Sequence, residues 1–324
     1  MKKRNFLIVK IAGLAALLSG LLALLRSEYE KRSLSVAYYQ IRTDKKLRGR
    51  RRIAFLTDLH DMRFGKKNKD LLKRIDAYAP DLILIGGDLP LVKKQARLET
   101  GLSLCRELSL KYPVYYGNGN HEQRLKNKEK YQNKYAFLTY SLQCLGISHL
   151  SDSSAMYEPP LFDPAIKNCK FAQNEKRENE KREDERGAGA GIRISGLDIN
   201  EEYYKKFSGK KMDPGYIQER LGPSSKDCFE ILLAHSPLYL DAYARWGADL
   251  VLSGHFHGGT IRLWKEIGLM TPQFQFFNRH VHGLKEKRST SMIISSGLGT
   301  HSIKIRLNNK PELVIVDLIP RKSI

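Results

Sequence analysis

Residues 53–88 read IAFLTDLHDMRFGKKNKDLLKRIDAYAPDLILIGGD and contain the unit that decides the fold. The apolar runs IAFL and LILI are typical of short buried strands, and residues 68–79 between them have the apolar spacing of a helix. A strand, a helix and a second strand in this order predict two parallel neighbouring strands joined by a helix.

The same alternation continues on the C-terminal side of this unit. A helical pattern over 94–110 leads to the strand-like run PVYYG, and later FEILLA and DLVLS flank a helix near 238–245. Three further strand-like segments have little helix between them: 259–264, 291–296 and 312–318. The pattern predicts an α/β fold with central mixed β-sheets, packed as a two-sheet sandwich and flanked by helices, after one N-terminal transmembrane helix.

Residues 6–25, FLIVKIAGLAALLSGLLALL, form an apolar run with a single charge, Lys10. About 20 apolar residues in a helix span the hydrocarbon layer of a bilayer. No small-x-small cleavage site follows, so we expect residues 1–33 to be an uncleaved, single-pass anchor in the cell membrane; the alternative is a cleaved signal peptide. The basic residues before the run resemble an export signal and favour an extracytoplasmic domain, although the positive-inside rule favours the cytoplasm.

The chain of 324 residues has a formal charge of +21, which indicates an anionic partner. Residues 42–52 hold seven basic residues, so we interpret 34–50 as a basic juxtamembrane linker that attracts an anionic membrane surface. We place one catalytic-type domain at 51–320. Within it, 166–190 is predicted to be a disordered insertion, because residues 174–186 read NEKRENEKREDER and offer no apolar face. The four cysteines lack C-x-x-C spacing, which argues against a structural zinc ribbon and against a disulfide-dense secreted fold.

Metal-ligand side chains follow the strand-like runs at their C-terminal ends. These residues are Asp58, His60, Asp88, Asn120, His121, His235, His255 and His257. In open α/β sheets, sites form beyond the carboxyl ends of the strands, so we expect these side chains to converge. Carboxylate, imidazole and amide ligands suit two divalent ions, with Asp88 as the central candidate for a bridge, and two such ions can clamp a phosphoryl group and activate a bridging hydroxide.

The spacing of these elements resembles a known family. The five blocks of calcineurin-like metallophosphoesterases are similar to Asp58-x-His60, Gly87-Asp88, Gly119-Asn120-His121-Glu122, His235 and Gly254-His255-x-His257. The stretches SGHFHGGTIRL and SGLGTHSIKIRLNNKPELVIVDL resemble the membrane-anchored bacterial branch of that superfamily. The resemblance covers residues 50–319, and it departs from the family pattern at Phe256, where threonine is usual, and in the long charged insertion.

The resemblance implies a site for two divalent metal ions, which could be Mn, Fe or Zn. It implies that the first ion is held by Asp58, His60, Asp88 and His257. It implies that the second is held by Asp88, Asn120, His235 and His255. His121 matches the position that contacts the substrate phosphate and protonates the leaving oxygen as general acid.

The sequence therefore predicts a dinuclear phosphoesterase that hydrolyses a phosphate ester or diphosphate. The anchor and basic stretch favour a lipid-linked substrate, for which the resemblance suggests compounds of the UDP-2,3-diacylglucosamine type. One alternative is a nuclease or general phosphodiesterase, because the positive charge also suits a polyanion. Another is a non-catalytic membrane-surface binding protein on the same fold. No obligate protein partner is inferred.

Overall fold

A computed structural model describes residues 2–47, 49–157, 191–205, 209–263, 267–273, 275–300 and 304–321. The described helices are α1 (Lys2–Arg32), α2 (Lys69–Asp76), α3 (Glu99–Ser109), α4 (Asn120–Leu125), α5 (Lys128–Tyr131), α6 (Lys134–Cys144), α7 (Pro214–Leu221) and α8 (Leu240–Trp246). The described strands are β1 (Ser35–Thr43), β2 (Arg51–Leu56), β3 (Leu82–Ile85), β4 (Leu91–Val92), β5 (Ala96–Arg97), β6 (Val114–Gly117), β7 (Ser148–Leu150), β8 (Ser153–Tyr157), β9 (Ile192–Leu197), β10 (Phe229–Ala234), β11 (Leu250–Ser253), β12 (Gly268–Met270), β13 (Phe276–Asn278), β14 (Gly283–Lys287), β15 (Thr290–Ile294) and β16 (Glu312–Pro320).

Two six-stranded mixed sheets carry the fold. The first has the strand order β1-β16-β2-β3-β6-β7, and the second has the order β14-β15-β11-β10-β9-β8. Strands β2, β3, β6 and β7 run parallel to one another, as do β9, β10, β11 and β15. The carboxyl ends of the parallel strands in each sheet therefore lie at a single edge of that sheet.

Alternating side chains explain why the two sheets pack face to face. In β2, Ile53 and Phe55 belong to the apolar cluster that both sheets share, whereas Ala54 and Leu56 face the helices outside the first sheet. The same period of two places Ile231 of β10 between the sheets. Burial on both faces requires the continuous apolar runs that the sequence shows, as in other parallel sheets.

Helices cover the outer face of each sheet. The first sheet packs against α2, α3 and α6 through residues such as Leu71, Leu104 and Leu142. The second packs against α7 and α8 through Ile217 and Tyr243. The predicted α/β class, with two central mixed sheets flanked by helices, is confirmed.

The segment 34–50 differs from the predicted linker. Residues Ser35–Thr43 form the edge strand β1, which pairs in parallel with β16 from Ser35–Glu312 to Thr43–Pro320. Within it, Ile41 is buried in the cluster between the sheets. The basic residues that suggested a linker follow this strand or lie at its end, so the globular fold begins earlier than residue 51. The predicted insertion at 166–190 lies outside the described residues.

Helix α1 has two different parts. From Ile8 to Arg32 it is long and apolar enough to cross a membrane by length and composition, a test that a signal sequence also passes. Its last turns are instead tied to the globular fold. Ser27 and Glu30 are buried; the Ser27 hydroxyl accepts a hydrogen bond from the Arg306 backbone N–H at 3.0 Å, and the Glu30 carboxylate accepts one from the Asn309 N–H at 2.9 Å.

Glu30→Ala should destabilise the fold, because it leaves the buried Asn309 N–H without its acceptor. An unsatisfied buried group costs about 1–3 kcal/mol. Glu28→Ala is the matched control on the same helical turn, since Glu28 is exposed and pairs only with Lys31 among the described contacts. Thermal unfolding of the full-length variants in detergent measures both effects. Equal melting temperatures for the two variants would show that the contact between α1 and the fold is unimportant.

Candidate metal centre

The residues predicted to follow the strands do converge. Asp58 and His60 lie in the turn after β2, Asp88 follows β3, and Asn120 begins α4 after β6. The second sheet contributes one residue after β10 and two after β11, namely His235, His255 and His257. All of them are buried. The site therefore lies where the carboxyl ends of both sheets meet, as the strand pattern predicts.

Left-handed backbone shapes the turns of this site. The φ angles lie between 47° and 68° at five non-glycine positions, namely Asp58, His60, Asp88, His255 and His257. Each such residue costs on the order of 1–3 kcal/mol, and such strain is concentrated at functional sites. Gly87 has a φ of +86°, and a Cβ there would lie 2.1 Å from the Gly119 nitrogen. Only glycine lets these two turns approach so closely.

Two clusters of ligand atoms form around the two carboxylates, the first around Asp58 and the second around Asp88. In the first, Asp58 Oδ1 lies 3.4 Å from His257 Nε2 and 3.7 Å from His60 Nε2. In the second, Asp88 Oδ2 lies 3.3 Å from His235 Nε2, and His255 lies within the same cluster. Asp88 Oδ2 is also 3.6 Å from His60 Nε2. Asp88 therefore lies between the two clusters.

Hydrogen bonds orient the histidines for cation binding. His235 Nδ1 donates to the Gly86 carbonyl at 2.8 Å, and His257 Nδ1 donates to the Gly299 carbonyl at 3.1 Å. A proton fixed on Nδ1 leaves the lone pair of Nε2 directed at the carboxylates, which is the arrangement of metal-ligating histidines. Asn120 Oδ1, His235 Nε2 and His255 Nε2 are buried without a hydrogen bond to the part of the chain that the structure describes. These donor atoms fit a divalent cation.

His121 has the opposite orientation. Its Nδ1 accepts a hydrogen bond from the Val92 backbone N–H at 2.7 Å, so in the neutral ring Nε2 carries the proton. Nε2 lies 3.9 Å from Asp88 Oδ2. The ligand atoms of His60, Asp88 and His121 are close enough to hold an ion, but a protonated Nε2 cannot bind one. The Nε2 of His121 therefore offers a proton rather than a lone pair.

Electrostatics favour the metal-binding forms of the two carboxylates and of His255 and His257, but favour the protonated form of His235. Burial opposes ionisation of Asp58 and Asp88, but the nearby histidines outweigh it and hold the pKa of both carboxyls below the usual range. Burial lowers the pKa of His255 and His257 to about 3, so both rings are neutral. Burial also opposes protonation of His235, but Asp88 and Asp58 raise its pKa to about 10. A bound cation would replace that proton.

The sequence did not reveal the role of Glu122, which is fully buried beside the site. Its carboxylate accepts hydrogen bonds from the backbone N–H groups of Asp88 and Gly119, both at 2.9 Å, and from the Tyr116 hydroxyl at 2.5 Å. Burial and the charge of Asp88 raise the pKa of Glu122 to about 7. Glu122 thus holds two ligand-bearing turns together. Its position in the GNHE run was the only signal.

Arg306 and Asn309 hold the loops behind His257. Arg306 is buried, and its Nη2 donates to three backbone carbonyls, including that of Gly299 at 2.6 Å, which also accepts from His257. Asn309 Nδ2 donates to the His257 carbonyl at 2.6 Å. The same two residues bind the end of α1 through their N–H groups. These contacts join segments that are far apart in sequence, so no local sequence pattern predicts them.

A cavity of about 360 Å³ opens over the clusters. Its wall includes His60, Asp88, Asn120, His121, Arg124, Tyr204, His255 and His257, together with residues 270–273. Arg262, in contrast, donates to Ser296 and Asn309. Two arginines, Arg124 and Arg306, also line the cavity. The guanidinium of Arg306 is held by hydrogen bonds to the backbone carbonyls of Ser296, Gly297 and Gly299.

A family model described as calcineurin-like phosphoesterase matches residues 51–259, so the chain belongs to this family. Members of the family use divalent metal ions, and the Asp/His clusters described above could hold them.

Similar proteins occur in bacteria and animals. The uncharacterized protein YpbG of Bacillus subtilis is 25 % identical over 82 % of this chain and 80 % of its own length. Metallophosphoesterase Cj0846 of Campylobacter jejuni is 26 % identical over 90 % of this chain and 64 % of its own length. A bovine transmembrane protein with a metallophosphoesterase domain is 26 % identical over 81 % of this chain, which spans about half of that relative (51 %). Among solved structures, the sulfate thiohydrolase SoxB of Thermus thermophilus is 13 % identical over 83 % of this chain and 56 % of its own, with a TM-score of 0.39.

Proposed function

We propose that this protein is a membrane-anchored phosphoesterase that uses two divalent metal ions to hydrolyse a phosphate ester or diphosphate. The observation that carries the proposal is the position of Asp88 between two ligand clusters, one of which also contains His235 and His255. Buried Asn120 Oδ1 and His255 Nε2 make no hydrogen bond to the described residues, which suits them to a cation. Family membership supports the same chemistry.

The proposed ligand assignment follows the two clusters. One ion would be held by Asp58, His60, Asp88 and His257. The other would be held by Asp88, Asn120, His235 and His255. When bound, two such ions supply Lewis acidity and an activated water to a phosphoryl group. The charge of Asp88 would hold both ions close together. Mn, Fe and Zn all accept this set of nitrogen and oxygen ligands, so the proposal covers all three metals.

His121 and Arg124 have separate proposed roles in the cavity. The Nε2–H of His121 would donate its proton to the leaving oxygen, because the Val92 N–H keeps Nδ1 as the acceptor. Arg124 lines the same cavity, and its guanidinium would bind phosphate oxygens in a paired geometry.

Arg124→Ala should lower kcat/KM mainly through a higher KM. Loss of a charged hydrogen bond costs about 1.5–3 kcal/mol, which is roughly 10- to 10²-fold. Arg106→Ala on α3 is the control, because Arg106 is exposed and does not line the cavity. Steady-state kinetics with a soluble phosphodiester measure the effect. An unchanged KM in Arg124→Ala would remove Arg124 from substrate binding.

The proposed substrate is a lipid-linked phosphodiester or diphosphate at the membrane surface. The apolar helix α1 supports this choice, and one relative is named as a transmembrane protein. We propose that α1 is a single-pass anchor, with the domain on the extracytoplasmic side. The full-length chain should remain in the membrane fraction after a high-salt wash, whereas a chain beginning at residue 26 should not. A full-length chain released by salt alone would contradict the anchor.

A substrate panel tests the proposed activity. The full-length protein, supplied with Mn²⁺, is assayed on a generic phosphodiester, a phosphomonoester, DNA and lipid diphosphates. The lipid diphosphates include a compound of the UDP-2,3-diacylglucosamine type. Turnover of the amphiphilic substrates supports the proposal. A preference for DNA would support the nuclease alternative and overturn the proposed substrate. Metal binding without turnover of any substrate would support the non-catalytic binding protein and overturn the proposed reaction.

A further inference from the structure

We infer that the cavity faces the bilayer and that exposed apolar side chains of a segment beside it insert into the lipid surface. The segment concerned, called the flap, comprises residues 261–263, 267–273 and 275–278, which include β12 and β13. The inference rests on the proposed membrane anchor and deepens it, because it specifies the direction from which a lipid-linked substrate enters.

Strand directions place the anchor and the cavity at the same edge of the first sheet. Strand β2 ends at Leu56, just before Asp58, so its carboxyl end marks the edge that carries the site. Strand β16 is antiparallel to β2, with Val314 opposite Phe55, and therefore begins at that edge. Strand β1 is parallel to β16 and also begins there, at Ser35. Helix α1 thus enters the fold on the side of the cavity.

Side-chain contacts connect the end of the apolar run to the flap. Arg26 is the first residue after the run 6–25, and its guanidinium donates to Asn308 Oδ1 at 3.2 Å. Asn308 Nδ2 in turn donates to the Arg262 carbonyl at 3.3 Å. Arg262 immediately precedes Leu263 in the flap. Two successive hydrogen bonds therefore connect the flap to Arg26, the residue at which a spanning helix would leave the hydrocarbon layer.

The flap carries exposed apolar side chains and also contributes residues to the cavity wall. Leu263, Phe276 and Phe277 expose 42 %, 59 % and 63 % of their surface. Met270 and Gln273 of the same flap line the cavity. Neighbouring exposed aromatic side chains such as Phe276 and Phe277 are typical of membrane contact sites.

The geometry suits a substrate whose apolar part stays in the bilayer. Its phosphate would need to travel only past the flap to reach the cavity, while the exposed phenylalanines contact the acyl layer. A fully soluble phosphoester would gain nothing from this arrangement. The partner surface is therefore a lipid bilayer, and the substrate class is an amphiphile with a phosphate near the headgroup.

Fluorescence quenching tests the contact without any assay of activity. The full-length chain is reconstituted into vesicles of equal parts phosphatidylcholine and phosphatidylglycerol, with or without brominated acyl chains. In a Trp264→Phe background, Phe276→Trp and Phe277→Trp are compared with Leu110→Trp. Leu110 is the matched control, because it is 74 % exposed and lies just before the start of β6, at the sheet edge opposite the site. Trp246 is buried and gives the same background in each chain.

Brominated lipid should quench tryptophan at position 276 or 277 strongly and leave tryptophan at 110 almost unchanged. Aqueous acrylamide should give the reverse order. Equal lipid quenching at all three positions would overturn the inference. That result would leave the proposed hydrolase intact if the substrate panel still shows turnover, and lipid quenching without turnover would leave the membrane contact intact.

Discussion

Asp88→Asn is expected to lose bound metal and activity together. Asp88 Oδ2 lies 3.3 Å from His235 Nε2 and 3.6 Å from His60 Nε2, so its charge serves both clusters. Removing one partner of a buried charge pair costs about 3–5 kcal/mol, or roughly 10²–10⁴-fold in metal affinity. Elemental analysis of the purified full-length protein, beside its rate on a soluble phosphodiester, measures both quantities.

The control for this variant is Asp317→Asn. Asp317 is also buried and charged, but it pairs with Arg50 and Arg52 at the far end of β2. Its amide should lower stability and leave metal content near that of the wild type. If Asp88→Asn keeps its full metal content, Asp88 is not the bridge between the two clusters.

His121→Ala is expected to keep its metal and lose its rate. The Nε2 of this ring carries a proton rather than a free lone pair, because Val92 N–H occupies Nδ1. Loss of a general acid lowers kcat by about 10²–10⁴-fold. The loss should be smaller for a nitrophenyl ester, whose leaving group needs little protonation.

Two substrates and one metal analysis decide the role of His121. His282→Ala is the control, because His282 pairs with Glu312 at 2.7 Å and does not line the cavity. Equal losses on a nitrophenyl ester and on an alkyl ester would contradict the role as general acid. So would loss of the metal in His121→Ala.

The sequence predicted the location of the site because that location depends on local pattern. Each ligand-type residue follows an apolar run, and parallel strands bring their carboxyl ends to one edge whatever the order of the strands. Asp58 and Asp88, which follow strands of the same sheet, could therefore be placed near each other from spacing alone. The approach of His235, which follows a strand of the second sheet, depends on how the two sheets pack. Their left-handed turns and the proton position on each histidine depend on contacts from other elements, so only the structure supplies them.

Long-range pairing explains what the sequence did not reveal. Strand β1 pairs with β16 across most of the chain, and the nearby basic residues concealed its alternating Ala37, Tyr39 and Ile41. The hydrogen bonds of Arg306 to backbone carbonyls likewise join residues that no linear pattern connects to one another.

The aromatic residues of the C-terminal half differ from one another in burial. Trp246 packs in the core beside the second sheet, as core packing predicts. Phe276 and Phe277, in contrast, are exposed on β13, so they do not belong to the core. Trp264 and Phe274 lie outside the described residues.

The most direct test of the central claim is a metal titration of the full-length protein after chelator treatment. Bound Mn²⁺ and the rate of phosphodiester hydrolysis are followed in the same samples. The proposed site predicts saturation at two ions per chain and a rate that rises with the filling of both clusters. A rate that persists in the metal-free protein, or saturation at two ions without any hydrolysis, would contradict a dinuclear phosphoesterase.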